Sequence, residues 1–266
     1  MTVSVQSGAG ATKMIINAEG IVLRQRKISN NRRIIVLFTK QYGKISAGTS
    51  INEKGKSRAA LALRPFTYAE YDIFKGRESY SINSAQVIQS YYSIGEDINR
   101  YMTAAAFLQY LEKVLDEGQA MPSLFNLCTD FLASASRTKK SADILLYAFI
   151  VKSLRMLGVM PEIGNCVNCG KNLTEFAKPY MFSVSSGGVI CPDCAQEEGQ
   201  GAHALIYKPA FDIIDVLKFF ELKPLETFEK LTLKKEDEAV LRDILANYTE
   251  RYLDVDVFSS ANRLEV

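Results

Sequence analysis

The spacing of apolar positions changes once along the chain, near residue 90. Before that point, short apolar runs are cut by polar turns. Ile15 to Gln25 is rich in Ile, Val and Leu, and Lys27 to Arg33 is a polar turn. Ile34-Ile35-Val36-Leu37-Phe38 is a second run, close enough to the first to form a hairpin. Gln41 to Lys44 turns the chain into Ile45-Ser46-Ala47. Arg64 to Phe74 and Tyr80 to Ile88 complete the series. Five short strands with few helical signals predict a small closed barrel over residues 14–88, with the OB-fold as its natural form. Residues 1–13 are small and polar and read as a flexible leader, with Met14 an alternative start.

After residue 90 the period becomes three and four. Ile94, Ile98, Tyr101, Ala105, Leu108, Leu111 and Leu115 predict a long helix with one buried face. Pro122-Ser123 restarts the chain, and Leu124, Leu127, Cys128, Phe131, Leu132 and Ala135 repeat the stripe, so Cys128 reads as a buried, inert thiol. Arg137 to Lys140 reads as a solvated basic turn, with Ser141 able to cap the next helix. Ile144 to Leu157 is apolar nearly all round and predicts the central helix, ended by Gly158 and Pro161. Two later stripes run through Phe211, Ile214, Leu217 and Phe220, and from Asp237 to Tyr252. The expectation is a multidomain chain: an all-β OB-fold barrel, then an all-α domain over residues 89–266 with an insertion at about 163–199.

That insertion carries the clearest chemistry. Cys166-x2-Cys169 and Cys191-x2-Cys194 are separated by 21 residues. Each two-residue gap lets a tight turn aim both sulfurs at one point, and two such turns complete a tetrahedral site. Gly170 follows the first pair, where a positive φ lets the backbone fold round the sulfur. Apolar runs either side of Ser186-Gly187-Gly188 predict a hairpin delivering the second pair to the first. The expected cofactor is one structural Zn2+, because four thiolates leave no open position for water. Two disulfides or an iron–sulfur cluster are the rivals. The zinc-deaminase pattern is absent, since Cys191 lacks a preceding Pro and no H-x-E stands upstream.

Composition narrows the function. Residues 1–80 hold 14 Lys/Arg against 5 Asp/Glu, a net of +9, while the remainder holds 18 against 25, a net of −7. A basic barrel suggests a polyanion. The expected contacts lie on loops: Arg24, Arg26, Lys27, Arg32 and Arg33 on one, then Lys44, Lys54, Lys56 and Arg58 on the next turns, with Arg64 beside aromatic residues. Exposed rings beside cations stack bases. Tyr42, at a polar turn, is the candidate for that, whereas Phe38, Phe66 and Phe74 read as core. Gly55-Lys56-Ser57 resembles the end of a P-loop, but Ser50 stands where the motif needs Gly. His203 is the only histidine, and no acid–base or nucleophilic set can be assembled, so an enzyme is not expected. Ile144 to Val151, the longest strongly apolar run, is too short to span a bilayer. The first 13 residues have no signal-peptide core, so the expected compartment is the cytoplasm. From these residues alone, an RNA-binding OB-fold protein with a structural zinc module stays open as the alternative.

The series of motifs resembles the RecO family of bacterial recombination and DNA-repair mediators. The resemblance rests on Gly20-Ile21-Val22-Leu23-Arg24, Leu37-Phe38-Thr39-Lys40, Tyr42-Gly43-Lys44, Lys56-Ser57 and Arg64-Pro65-Phe66-Thr67. Downstream it continues through Leu157-Gly158, Pro161, the first cysteine pair with Gly170, Phe182-Ser183, Gly187-Gly188 and the second pair. It implies binding of single- and double-stranded DNA, annealing of complementary strands, and nucleoid association. The implied partners are RecR and the C-terminal tail of single-strand-binding protein, with help in placing RecA on coated DNA. Asn30-Asn31-Arg32-Arg33 departs from the Gly-Glu usual in that family, and so puts the detailed contacts of that loop in question.

Overall fold

β1 (Met14–Ser29) serves two neighbours. Its first half pairs antiparallel with β4 (Thr67–Lys75), and its second half with β2 (Arg32–Thr39). The hand-over falls at Gly20, where a Cβ would sit 3.2 Å from the Tyr71 ring and 3.3 Å from the Phe38 carbonyl. A register shift between Val22 and Arg24 bends the strand there. In this computed structural model the described residues are 14–29, 32–51, 57–77, 79–176, 180–199, 205–209 and 211–258.

With β3 (Gly43–Thr49) and β5 (Tyr80–Ser90), the strands close in the order β1-β2-β3-β5-β4. All pairs are antiparallel except β3 with β5, which join in parallel through Ala47↔Tyr80 and Gly48↔Ser81 alone. The result is an OB-like barrel. Alternate side chains fill it, among them Val22, Ile35, Leu37, Ala69, Tyr71 and Ile73. The short α1 (Arg58–Ala62), capped by the Ser57 hydroxyl, adds Ala62 and Leu63 to the same core. The Tyr71 hydroxyl, buried deep in that core, donates to the Ala62 carbonyl at 2.7 Å.

Two expectations for this region change. The polar stretch Lys27–Arg33 is not wholly a turn: Lys27 pairs with Arg33 and Ser29 with Arg32, so the hairpin ladder reaches into it from both sides. The long helix does not start at Ile94. A 3-10 turn covers Tyr92–Glu96, and α2 (Ile98–Val114) begins after Asp97, whose carboxylate accepts from the Arg100 amide at 2.9 Å. That break rotates Ile98 off the stripe and leaves it 70% exposed. In α3 (Pro122–Arg137) the expected stripe is buried throughout, Cys128 included.

The chain divides into two compact units between Ser136 and Arg137. α2 and α3 therefore belong with the barrel: Phe125 packs edge-on against Phe38 at 5.4 Å and Tyr68 at 5.7 Å, and Tyr101 meets Phe66 at 5.6 Å.

In the second unit, α4 (Asp143–Met156) is buried along most of its length, and the Ser141 hydroxyl accepts from the Asp143 amide at 3.2 Å. The basic link before it is only partly a solvated turn. Arg137 bridges Glu229 at 2.6 Å and Thr138 is buried, while Lys139 and Lys140 are exposed. The expected hairpin is present as β6 (Met181–Ser183) and β7 (Gly188–Ile190), followed by α5 (Pro192–Glu198). A third strand, β8 (Ile206–Tyr207), pairs with β6, so this unit is helical with a small sheet rather than all-α. α6 (Ile213–Leu222) and α7 (Lys235–Leu253) end the described chain. No helix among the described residues is long and apolar enough to cross a membrane.

Candidate metal centre and nucleic-acid interface

The segment after α4 folds into a tight knuckle. The Gly170 amide donates to the Cys166 carbonyl at 2.9 Å, and the Cys166 amide to the Lys171 carbonyl at 2.8 Å. Gly170 has φ +74°, the conformation expected for it. β7 then runs beside this segment, with the Val167 amide donating to the Val189 carbonyl at 2.9 Å and the Val189 amide to the Glu162 carbonyl at 2.9 Å. At Gly188 a Cβ would lie 2.3 Å from the Glu162 carbonyl oxygen, so only glycine allows this approach. Cys191 precedes α5, whose first turn returns Cys194 to the same point.

The sulfurs of Cys166, Cys169, Cys191 and Cys194 all lie within 4.8 Å of one another. None is in a disulfide, and the Cys169 and Cys191 sulfurs are 3.8 Å apart. Four sulfurs ~2.3 Å from a central zinc are about 3.8 Å apart along each tetrahedral edge. The cluster therefore fits a single metal ion. Burial pushes the Cys166 thiol up, but the backbone amides of Cys169, Cys191 and Asn168 outweigh it and hold Cys166 down to about 6. The Cys191 amide donates to that sulfur at 3.4 Å. Burial, hydrogen bonds to the Cys191, Cys169 and Cys166 sulfurs, and the charge of Cys166 push Cys194 up. A cation relieves that repulsion. The surrounding core is small: Ile190 and Ala195 are buried beside the cysteines, with Val167, Phe176, Met181 and Ile206 partly buried.

The basic residues of the barrel fall into three groups. Arg26, Lys27 and Arg32 are exposed on the β1–β2 hairpin, with no acidic partner among the described residues. Arg58 and Arg64 are likewise exposed, at the two ends of the α1 segment. The others have structural work. Arg24 bridges Glu112 of α2 at 3.0 Å, and the Lys44 ammonium donates to the Glu112 carbonyl at 2.7 Å. Arg33, expected on a loop, is 7% exposed. Its guanidinium donates to Gln25 Oε1 at 2.7 Å and to the Ile51 carbonyl at 2.8 Å. Arg33→Ala is expected to lower stability by roughly 1–3 kcal/mol, since it leaves a half-buried carbonyl and amide without their charged donor. Denaturant unfolding measures this; a loss below about 0.5 kcal/mol would contradict it. Lys54, Lys56 and His203 lie outside the described residues.

Among the aromatic residues, Phe38, Phe66 and Tyr71 are buried. Tyr42 is half-buried against the barrel core rather than freely exposed, and Phe74 is half-buried too. Glu112, which holds two of the expected contact residues, carries no signal in the sequence, because both partners are more than sixty positions away.

Two family models match: Recombination protein O N terminal over residues 14–91 and Recombination protein O C terminal over residues 95–261. The chain is 30% identical to the DNA repair protein RecO of Alkaliphilus metalliredigens over 247 residues, 93% of this chain and 97% of that one. It is 28% identical to the protein of the same name from Caldanaerobacter subterraneus subsp. tengcongensis, over 91% of this chain and 94% of that one. It is 30% identical to that of Exiguobacterium sibiricum, over 90% and 92%.

Proposed function

Since the chain belongs to the recombination protein O family of DNA repair proteins, we propose that it binds single- and double-stranded DNA, anneals complementary strands and helps place RecA on DNA coated by single-strand-binding protein. It does so without catalytic turnover, in the cytoplasm at the nucleoid. Its protein partners are RecR and the acidic C-terminal tail of single-strand-binding protein. The observation that carries the DNA reading is the set of exposed cations, without an acidic partner among the described residues, on a closed OB-like barrel: Arg26, Lys27 and Arg32 on one hairpin, Arg58 and Arg64 at α1. Annealing brings two polyanions together, and cations that neutralise phosphates release counter-ions and lower that repulsion. Residues 14–88 form the nucleic-acid-binding part. Residues 89–266 form the helical part, with the metal module at about 163–199 holding one structural Zn2+ on Cys166, Cys169, Cys191 and Cys194. The ion there would fix the loop geometry, and four thiolates leave it no position for a reacting water.

The test is annealing of complementary strands precoated with single-strand-binding protein. The expected result is annealing well above the spontaneous rate, without nucleotide hydrolysis, and falling steeply with salt. Annealing no faster than in the protein's absence would refute the reading. Preference for RNA in competition between matched oligonucleotides would favour an RNA-binding protein instead.

A further inference from the structure

A cavity of about 410 Å³ opens on the barrel between α1, the start of β4 and the end of β5. Its size is that of a small-ligand site. Leu61, Pro65 and Val87 give it apolar walls. Thr67, Gln86 and Ser90 add a hydroxyl, an amide and a second hydroxyl, which between them offer donors and acceptors. Thr67 is 3% exposed overall and lines the cavity. At the rim stand Arg58 and Arg64, both exposed and unpaired among the described residues, and the Tyr92 ring. That ring is 71% exposed, yet its hydroxyl is tied to the Glu96 carboxylate, so it is held in place without being covered.

The backbone beside the cavity is strained. Phe66, between the lining residues Pro65 and Thr67, has φ +59°, which is uncommon for a bulky side chain. It is kept there by the Tyr91 amide on its carbonyl at 3.0 Å and by its ring against Tyr101. Packing that sustains such a conformation fixes Arg64 and Pro65 at the rim.

We propose that this cavity receives one unpaired nucleobase of a DNA strand, with Tyr92 stacking on it or its neighbour and Arg58 and Arg64 holding the adjoining phosphates. Flat apolar walls with a few polar groups suit a base, an exposed ring suits stacking, and paired cations suit the backbone. An acidic peptide with an apolar side chain shares the cations, the apolar walls and the polar trio, but the exposed Tyr92 ring, tied to Glu96, offers a stacking face that a planar base uses and an aliphatic side chain does not. The inference rests on the DNA-binding reading above and assigns it a subsite away from the β1–β2 hairpin.

The test uses the full chain and two fluorescent oligothymidylates of about twelve residues, one intact and one with abasic residues in its central half. The wild type is expected to bind the intact strand roughly tenfold more tightly. Ser90→Phe, which fills the cavity from an exposed position, and Tyr92→Ala should each remove most of that ratio. Ser90→Phe should leave the salt slope unchanged. Arg26→Ala with Lys27→Ala should weaken both oligonucleotides and preserve the ratio. If Ser90→Phe fails to fold, Tyr92→Ala alone decides. A wild-type ratio retained in the folded variants would overturn the base site. Binding of an Asp-rich peptide with an apolar C-terminus, lost in Ser90→Phe while the ratio stays, would overturn it in favour of a peptide site. Failure of the wild type to bind either strand would overturn the DNA-binding reading and this inference with it.

Discussion

Cys191→Ser is expected to abolish metal binding and to open the loop module while the barrel stays folded. The module between residues 162 and 199 has a small core, and much of that core is the cysteines themselves. Removing one ligand leaves three thiols crowded within 4.8 Å with no ion to hold them. Structural zinc sites contribute ~10–16 kcal/mol in zinc-finger peptides, far more than Ile190, Ala195 and the flanking side chains can supply by burial. Amide exchange at Val167 and Val189, whose hydrogen bonds tie the knuckle to β7, should rise by at least about a hundredfold. Exchange in β1 to β5 should not change, because the barrel belongs to the other compact unit. Elemental analysis gives the companion readout: about one zinc per wild-type chain and none in the variant. Wild-type protein with no metal and with protected Val167 and Val189 would defeat the zinc assignment.

The second large effect is on DNA. Arg26→Ala, Lys27→Ala and Arg32→Ala together remove three exposed cations from one hairpin. At about 1 kcal/mol per phosphate contact in a high-dielectric setting, single-strand affinity at moderate salt should fall by roughly 150-fold. The slope of log affinity against log salt should shrink by about 2. Melting should stay put, since exposed charges contribute little to stability. The control is Lys139→Ala with Lys140→Ala, two exposed lysines of the second unit. Anisotropy titrations across a salt series separate the cases. Loss of binding in the lysine pair, with a wild-type slope in the hairpin triple, would move the DNA surface off the barrel. Arg33 is left out because its guanidinium is buried on Gln25 and Ile51.

Local pattern carried the elements and the cysteine cluster. Leu124, Leu127, Phe131 and Leu132 show the α3 face because burial on a helix repeats with its turn. The cysteine pairs show the four-sulfur cluster that could hold a metal ion, because a two-residue gap constrains where both sulfurs point. What pattern could not carry were pairings across long stretches of chain. Arg24, Arg33 and Lys44 look alike in sequence to Arg26 and Arg32, and only Glu112, Gln25 and the Ile51 carbonyl distinguish them. Ile98 fits the α2 stripe by spacing alone; the capping carboxylate of Asp97 restarts the helix and turns it outward. β8, two residues long, offers too little periodicity to be seen without its partner Phe182.

The short parallel seam between β3 and β5 bears on the order in which the first unit assembles. β1, β2 and β3 follow one another as a meander, and β4 with β5 as a hairpin, so these two pieces form from neighbours in sequence. Closing them into a cylinder needs β4 to reach back to β1 and β5 to reach β3. Both steps cost loop entropy; the β1–β4 pairing returns eight residue pairs, whereas the β3–β5 seam returns two. Until Tyr80 and Ser81 arrive, the apolar faces of both pieces are open to water. Closure therefore falls late, but every strand it needs ends by Ser90, well before the second unit begins at Arg137, so synthesis from the N-terminus lets the barrel close ahead of that unit.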